Sequence, residues 1–152
     1  MKTIWGIDPG GNGAGCCLDV TLQSPPIFIP FKSETLFNLM QYARGTQEVV
    51  AVYLEKVGAR PQNSRSSCFT FGENVGVWKG ILMALDLRYT EVCPTTWMST
   101  LRCLTKGDKR VSLNRAKQLF PKISKEITHQ KADALLIACY GLIQYRKSIL
   151  KV

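Results

Sequence analysis

The chain has 152 residues, of which 45% are hydrophobic and 20% are charged, and we expect one globular domain over residues 1–152. This composition excludes a disordered tail, a collagen-like fibre and a disulfide-stabilised miniprotein. Twenty Lys and Arg against 11 Asp and Glu give a formal net charge of +9, which favours a polyanionic partner such as nucleic acid. The alternative is that the positive charge serves only to keep the protein soluble and indicates no partner.

The first half of the chain predicts a hairpin, two further strands and a helix. Four apolar segments bounded by turn residues predict strands, over residues 3–8, 14–20, 27–29 and 48–55. The turn-forming residues 9–13 join the first two strands into a hairpin. Ser33 can cap a helix that extends to about Ala43.

The second half predicts one strand and several helices. The strand covers residues 89–93. Helices are expected over residues 66–85 and 129–147. Between them, we expect a short helix that starts at Pro94 and another, after the charged turn 106–110, that ends at Phe120. Strands first paired as hairpins and then alternating with helices predict an α/β fold, a mixed sheet with helices on both faces. The longest apolar run, residues 134–143, has ten residues, about half of a membrane span, so we expect no membrane segment.

The helix over residues 66–85 combines an apolar side with a glycine stripe. Its expected apolar residues are Phe69, Val75, Val77, Trp78, Ile81 and Leu82. Gly72, Gly76 and Gly80 recur every fourth residue, which makes a flat surface that another backbone can approach closely.

The six cysteines form no C-x-x-C pair and no zinc-type pair of pairs. We expect them to be reduced and mostly buried. This predicts an intracellular protein, in the cytoplasm or another reducing compartment.

Three acids stand beside apolar segments. Asp8 and Glu55 end buried strands, and Asp133 begins an apolar helix. A buried acid costs several kcal/mol unless it is paired, protonated or bound to metal, and no arginine stands beside these in the sequence. The three acids therefore favour a site for Mg²⁺ or Mn²⁺. Taken singly, Asp8 can be a turn-former and Asp133 a helix-start charge.

The glycine-rich turn after Asp8 permits two other interpretations, both weak. Its spacing only partly matches a calcium loop, and a strand precedes it instead of a helix. A phosphate-binding loop would open a helix, whereas this turn leads to a strand. A carboxylate site on a basic protein instead predicts a metal-dependent nuclease, in which metal ions activate water and basic residues contact DNA phosphates.

Four motifs carry a family resemblance. They are Ile4-Trp-Gly-Ile-Asp8-Pro-Gly-Gly, Val52-Tyr-Leu-Glu55-Lys-Val, Phe69-Thr-Phe-Gly72-Glu-Asn-Val-Gly76-Val-Trp-Lys-Gly80 and Ala132-Asp133-Ala-Leu-Leu-Ile-Ala138. In order and spacing they resemble the RuvC-like Holliday junction resolvases, particularly the short phage-type and organellar members. Pro94-Thr-Thr-Trp97 and Lys117-Gln-Leu-Phe120-Pro121 fit the same pattern, so the resemblance covers nearly the whole chain.

The resemblance implies an RNase H-like fold with a five-stranded mixed sheet flanked by helices. It also implies a homodimer that nicks two opposed strands of a four-way junction with Mg²⁺, for which Mn²⁺ can substitute. Asp8, Glu55 and Asp133 would be the metal-binding catalytic acids. The family usually has a fourth acid or His three or four residues before the last acid. Here Gln130 and His129 occupy those positions, and His129 is expected to be a metal ligand or general acid/base, with a solvated helix-start residue as the alternative.

The remaining site predictions concern DNA and the dimer. The expected DNA contacts are Arg60, Gln62, Asn63, Ser64, Arg65, Lys79, Lys106, Lys109, Arg110 and Lys131. The expected dimer interface consists of Gly72, Gly76, Trp78 and Gly80. Phe69 and Phe71 are expected to pack in the core, with stacking on an unpaired base at the crossover as the alternative.

Two further functions are weighed against junction resolution. The first is a broader debranching nuclease acting on flaps, forks and replication intermediates. The second is a non-catalytic junction-binding protein, against which the three retained acids argue. A sugar-kinase or actin-type ATPase needs two such domains around its nucleotide, which 152 residues cannot supply, so no nucleotide cofactor is expected.

Overall fold

A computed structural model describes residues 1–31, 36–58 and 63–150. The strands in these residues are β1 (Lys2–Asp8), β2 (Ala14–Asp19), β3 (Ile27–Pro30), β4 (Glu48–Glu55) and β5 (Thr90–Val92). The α-helices are α1 (Leu36–Thr46), α2 (Arg65–Ala84), α3 (Pro94–Thr100), α4 (Arg110–Leu119) and α5 (His129–Ile149). A 3-10 turn, Pro121–Ile123, separates α4 from α5. All five predicted strands form, whereas the predicted cap Ser33 lies outside the described residues.

The strands form one mixed sheet in the order β3-β2-β1-β4-β5. The neighbours β3, β2 and β1 pair antiparallel, as the predicted hairpin requires. The other neighbours, β1 with β4 and β4 with β5, pair parallel. The central strand β1 therefore marks the change from antiparallel to parallel pairing.

Side chains of β1 alternate between two cores. Ile4 contributes to the core under α3, α4 and α5, whereas Trp5 contributes to the core under α1 and α2. This alternation follows from the two-residue period of a strand, and it places helices on both faces of the sheet. Residues 134–138 of α5 are all fully buried, since α5 lies against the middle of the sheet. The predicted α/β fold, a five-stranded mixed sheet flanked by helices, is confirmed.

Helix α2 is less buried than its sequence predicts. Trp78 and Leu82 are fully buried, but Phe69 is 69% exposed and Val77 is 37% exposed. The expectation that Phe69 and Val77 face the core is therefore wrong. A helix resting on a sheet buries only the narrow side that faces it, so apolar residues away from that side stay exposed.

The predicted dimer interface needs a correction at Trp78. Its indole is fully buried and packs against Phe31, with ring centroids 5.6 Å apart, so it is unavailable to a partner. The glycine stripe lies on the opposite, exposed side of α2. Within the described part of the chain, a Cβ added at Gly72, Gly76 or Gly80 would meet no atom within 4 Å.

All six cysteines lie in the described residues and are free thiols. Cys16, Cys17 and Cys103 are buried, as expected of small apolar residues, whereas Cys93 is exposed. Among the described residues, no helix is long and apolar enough to span a bilayer.

Candidate active site

Two of the predicted acids lie at the same edge of the sheet. In the parallel pair of β1 and β4, Ile7 is in register with Leu54, and Asp8 and Glu55 are the residues that follow. Parallel strands end on the same side, and adjacent strands lie about 4.8 Å apart. The ends of β1 and β4 thus place the backbones of Asp8 and Glu55 side by side.

Helix α5 places the third acid at this edge. The helix approaches β1 so closely that a Cβ at Gly6 would overlap the carbonyl oxygen of Ala134 and the backbone nitrogen of Ala138. Only glycine permits this separation. Asp133 directly precedes Ala134, and Asp8 lies two residues after Gly6, so the close approach brings the two carboxyl groups together.

The electrostatics of Asp8 and Asp133 reflect that proximity. The pKa of Asp8 is raised to about 6, mainly by burial and also by the neighbouring Asp133, against the opposing effects of the Gly10 amide and Lys109. The Gly10 N–H donates to Asp8 Oδ1 at 3.0 Å. Burial also raises the pKa of Asp133, which Ser112, Lys109 and His129 oppose. The fold therefore holds two acids where their charged forms are disfavoured, a pattern enriched at functional sites.

Lys109 is a site residue that the sequence interpretation assigned only to DNA. It lies just before α4, is exposed, and stabilises the charged forms of both Asp8 and Asp133. His129 begins α5 and is exposed. Its charge lowers the pKa of both Asp133 and Asp108. The structure therefore brings His129 near Asp133, as its spacing of one helical turn predicts, while its catalytic role stays a prediction.

Glu55 accepts a hydrogen bond from a residue that the sequence interpretation missed. The indole Nε1–H of Trp97, on α3, donates to Glu55 Oε1 at 3.0 Å. The motif containing Trp97 was visible in the sequence, but a contact across 42 residues depends on how α3 packs beside β4.

The fit of a divalent cation rests on an orphaned oxygen. Asp133 Oδ1 is buried and, among the described residues, has no hydrogen-bond partner. A hard cation would supply that partner and relieve the repulsion from Asp8, and carboxylate oxygens are the ligands that Mg²⁺ and Mn²⁺ prefer. In residues 1–31, 36–58 and 63–150, no three His, Cys, Asp or Glu side chains already form a metal-holding cluster. The donor set fits such an ion, and the side chains are not preassembled around one.

The predicted DNA-contact residues fall into three groups. Arg60 and Gln62 lie outside the described residues. The exposed members are Asn63, Ser64 and Arg65 at the start of α2, and Lys106, Lys109 and Arg110 before and at the start of α4.

The third group is occupied by contacts within the chain. Lys79 forms an ion pair with Glu91 and lies over the ring of Tyr89. Lys131 lies 5.0 Å from the ring centroid of Phe28, and its ammonium donates to the carbonyl of Glu126. These contacts make Lys79 and Lys131 weaker candidates for phosphate binding than the exposed residues.

Comparison with solved structures identifies the fold. No family model matches the chain, and no curated protein matches it. The structure is similar to that of "T. thermophilus RuvC in complex with Holliday junction substrate", with a TM-score of 0.64 and 18% identity over 97% of this chain and 96% of that chain. It is also similar to "Thermus thermophilus RuvC structure", with a TM-score of 0.65 and 16% identity over 96% of each chain.

These neighbours define the class of fold. The chain has the RNase H-like fold of RuvC, and each match covers at least 96% of both chains. The resemblance to the phage-type and organellar subgroup stays a prediction.

Proposed function

We propose that the chain is a metal-dependent endodeoxyribonuclease that resolves Holliday junctions by paired nicking. The observation that carries the proposal is the half-buried pair of Asp8 and Asp133, in which one Asp133 oxygen is buried without a partner among the described residues, at the sheet edge where Glu55 also ends a strand. Such a pair costs stability without a cation. The RuvC with which it shares its fold is described in complex with a Holliday junction substrate.

Each site residue has a role in this proposal. Asp8, Glu55 and Asp133 would hold Mg²⁺, or Mn²⁺ in its place, which when bound supplies an activated water and stabilises the leaving oxygen of a phosphodiester. Lys109 offsets the repulsion between the acids and an incoming phosphate. His129, which stabilises the charged form of Asp133, would complete the ligand set or transfer a proton.

Exposed residues near the start of α2 support binding to branched DNA. Asn63, Ser64 and Arg65 are exposed there, and the Ser64 hydroxyl accepts from the Ser67 amide, which fixes the first turn of the helix. One turn further, the Phe69 ring is 69% exposed. An exposed aromatic ring beside polar and basic residues suits stacking on an unpaired base at the crossover. The exposure of Phe69 favours this alternative over core packing.

A homodimer is part of the proposal. The exposed side of α2 carries Gly72, Gly76 and Gly80 together with Phe69 and Met83, which are 69% and 74% exposed. A flat surface flanked by two exposed apolar side chains suits close packing against a second α2. A twofold dimer would match the two symmetry-related cut sites of a junction.

Two alternatives to junction resolution predict different cleavage results. A broader debranching nuclease would use the same site on flaps and forks. A non-catalytic junction-binding protein is disfavoured, because half-buried carboxylates beside DNA weaken binding and serve no purpose without catalysis. The free thiols are consistent with the reducing compartment that we propose for the protein.

The test is cleavage of synthetic four-way junction, flap, fork and linear duplex in Mg²⁺, Mn²⁺ or EDTA. We expect paired nicks in the junction with either metal and none in EDTA. Asp8→Asn, Glu55→Gln and Asp133→Asn should each abolish cleavage while junction binding persists, because a negative charge facing phosphate is removed. Near-normal turnover of two of these variants would contradict the site, and equal cleavage of flap and junction would favour the debranching alternative.

A further inference from the structure

The three tryptophans of the chain are buried alike but use their indole N–H groups differently. Trp5, Trp78 and Trp97 are each no more than 1% exposed. Trp5 donates to the Thr3 hydroxyl at 3.2 Å, and Trp78 Nε1 has no partner among the described residues. Trp97 alone donates to a carboxylate, Glu55 Oε1, at 3.0 Å. Burial therefore does not explain the contact, since an equally buried indole tolerates having none.

The backbone around Trp97 is tied to the strand that carries Glu55. Glu55 is in register with Val92 on β5, and the Lys56 amide donates to the Val92 carbonyl at 2.7 Å. Helix α3 begins two residues after Val92, and the amide of Thr96 donates to the Cys93 carbonyl at 3.0 Å. The same β4–β5 pairing thus sets the positions of donor and acceptor.

The contact adds a fixed donor to a side chain that has several rotatable bonds. A glutamate has three side-chain torsions, whereas a fully buried tryptophan has two and is locked by packing. A fixed donor on one carboxylate oxygen selects the orientations in which Glu55 can act as a ligand. Ordering a ligand before binding lowers the entropic cost of binding, and partners of metal ligands act in this way.

We propose that Trp97 is a positioning residue that holds the Glu55 carboxylate in the orientation needed for the divalent cation. This inference rests on the proposed metal-dependent function and deepens it. Trp97 contacts neither DNA nor the cation. Its indole N–H acts only through Glu55.

The first test compares two conservative variants by direct Mn²⁺ binding, measured by electron paramagnetic resonance without DNA. Trp97→Phe keeps an apolar ring and removes the donor to Glu55. Trp78→Phe makes the same change at an equally buried indole whose N–H has no hydrogen-bond partner among the described residues. We expect Trp97→Phe to weaken Mn²⁺ binding about 10- to 100-fold, the usual effect of removing such a partner, and Trp78→Phe to leave it unchanged.

A second readout uses the wild-type chain, so that the positioning role can be tested even if the Trp97→Phe variant is unstable. The three indole N–H signals in a ¹H–¹⁵N spectrum are assigned with Trp→Phe variants, or by exclusion where one does not fold. Mg²⁺ should move the Trp97 signal more than the Trp5 and Trp78 signals. Glu55→Gln should move the Trp97 signal in EDTA, because the charged acceptor is lost.

The outcomes separate this inference from the proposed function. If the wild type cleaves junctions and binds Mn²⁺, but Trp97→Phe binds it equally well, only the positioning role is overturned. An unmoved Trp97 signal in Glu55→Gln, or in Mg²⁺, also overturns it. If the wild type binds no Mn²⁺ and cleaves nothing, the proposed function fails and the positioning role fails with it.

Discussion

At the scale of single residues, the acids of the site destabilise the fold that holds them. The pKa of Asp8 is raised from 3.8 to about 6, mainly by burial. The folded state therefore favours the protonated form. The contribution of Asp8 to the free energy of unfolding is fully present below about pH 4 and is lost as pH rises from there through 6. Above pH 6, that free energy is lower by roughly 3 kcal/mol. A bound cation would remove this cost by pairing the charge.

The first prediction follows from that sign. In EDTA, we expect Asp8→Asn to become more stable relative to wild type as pH rises from 5 to 8, by roughly 1 to 2 kcal/mol, or a few degrees in melting temperature. Thermal melts across this range measure the difference. Excess Mg²⁺ at pH 8 should raise the melting temperature of wild type more than that of Asp8→Asn. A difference that does not change with pH would contradict the raised pKa of Asp8.

A second prediction at this scale concerns His129. We expect His129→Ala to reduce cleavage about 10²- to 10⁴-fold with little loss of junction affinity, as for a general acid/base. Gln130→Ala, at the next exposed position, is the matched control and should retain turnover. A ligand role predicts that His129→Asp recovers activity in excess Mg²⁺, whereas a proton-transfer role predicts a shifted pH–rate profile. Wild-type turnover of His129→Ala from about pH 6 to 9 would remove His129 from the site.

At the scale of elements, the approach of α5 to β1 assembles the site. Gly6→Ala places a Cβ against the backbone of Ala134 and Ala138, so α5 must move away and carry Asp133 with it. We expect a loss of about 1 to 3 kcal/mol in the free energy of unfolding, as for an overpacked core. Cleavage should fall further than this instability explains, because Asp8 and Asp133 separate. Denaturant unfolding and cleavage under fully folded conditions measure the two effects.

The matched control for Gly6→Ala is Gly45→Ala in α1. Among the described residues, a Cβ at Gly45 would meet no atom within 4 Å. Alanine in a helix is favoured over glycine by up to about 1 kcal/mol, so this variant should be neutral or slightly more stable. If Gly6→Ala behaves like Gly45→Ala, the close approach of α5 to β1 does not position Asp133.

The elements also show what the sequence could predict. Asp8, Glu55 and Asp133 could be identified because an acid beside an apolar segment breaks the local pattern, and that break is visible without the fold. The contact of Trp97 with Glu55 could not, because it depends on packing between elements. Phe69 was assigned to the core because helical periodicity identifies apolar residues but not how wide a side of α2 the sheet covers. Trp78 was assigned to an interface because its motif lay beside the glycines, whereas burial placed it on the opposite side.

At the scale of the whole molecule, the last prediction concerns the proposed dimer. Gly76 lies midway along the exposed glycine stripe of α2, and a Cβ added there would meet no described atom within 4 Å. Gly76→Glu should therefore leave the monomer folded while placing a charge in the proposed interface, where a partner's α2 would bring a second copy of it. We expect a dimer of the wild type at micromolar concentration and a monomer of Gly76→Glu, measured by sedimentation.

The control for Gly76→Glu is Gly45→Glu, which adds the same charge at an exposed helical glycine away from the stripe. Both variants change the net charge equally, so a general electrostatic effect on DNA binding would appear in both. Loss of the dimer should convert paired nicks into single, uncoordinated nicks in Gly76→Glu alone, because one protomer reaches one strand of the junction. A wild type that is monomeric and still nicks both strands together would contradict the dimer, and a Gly76→Glu that stays dimeric would place the interface on another surface.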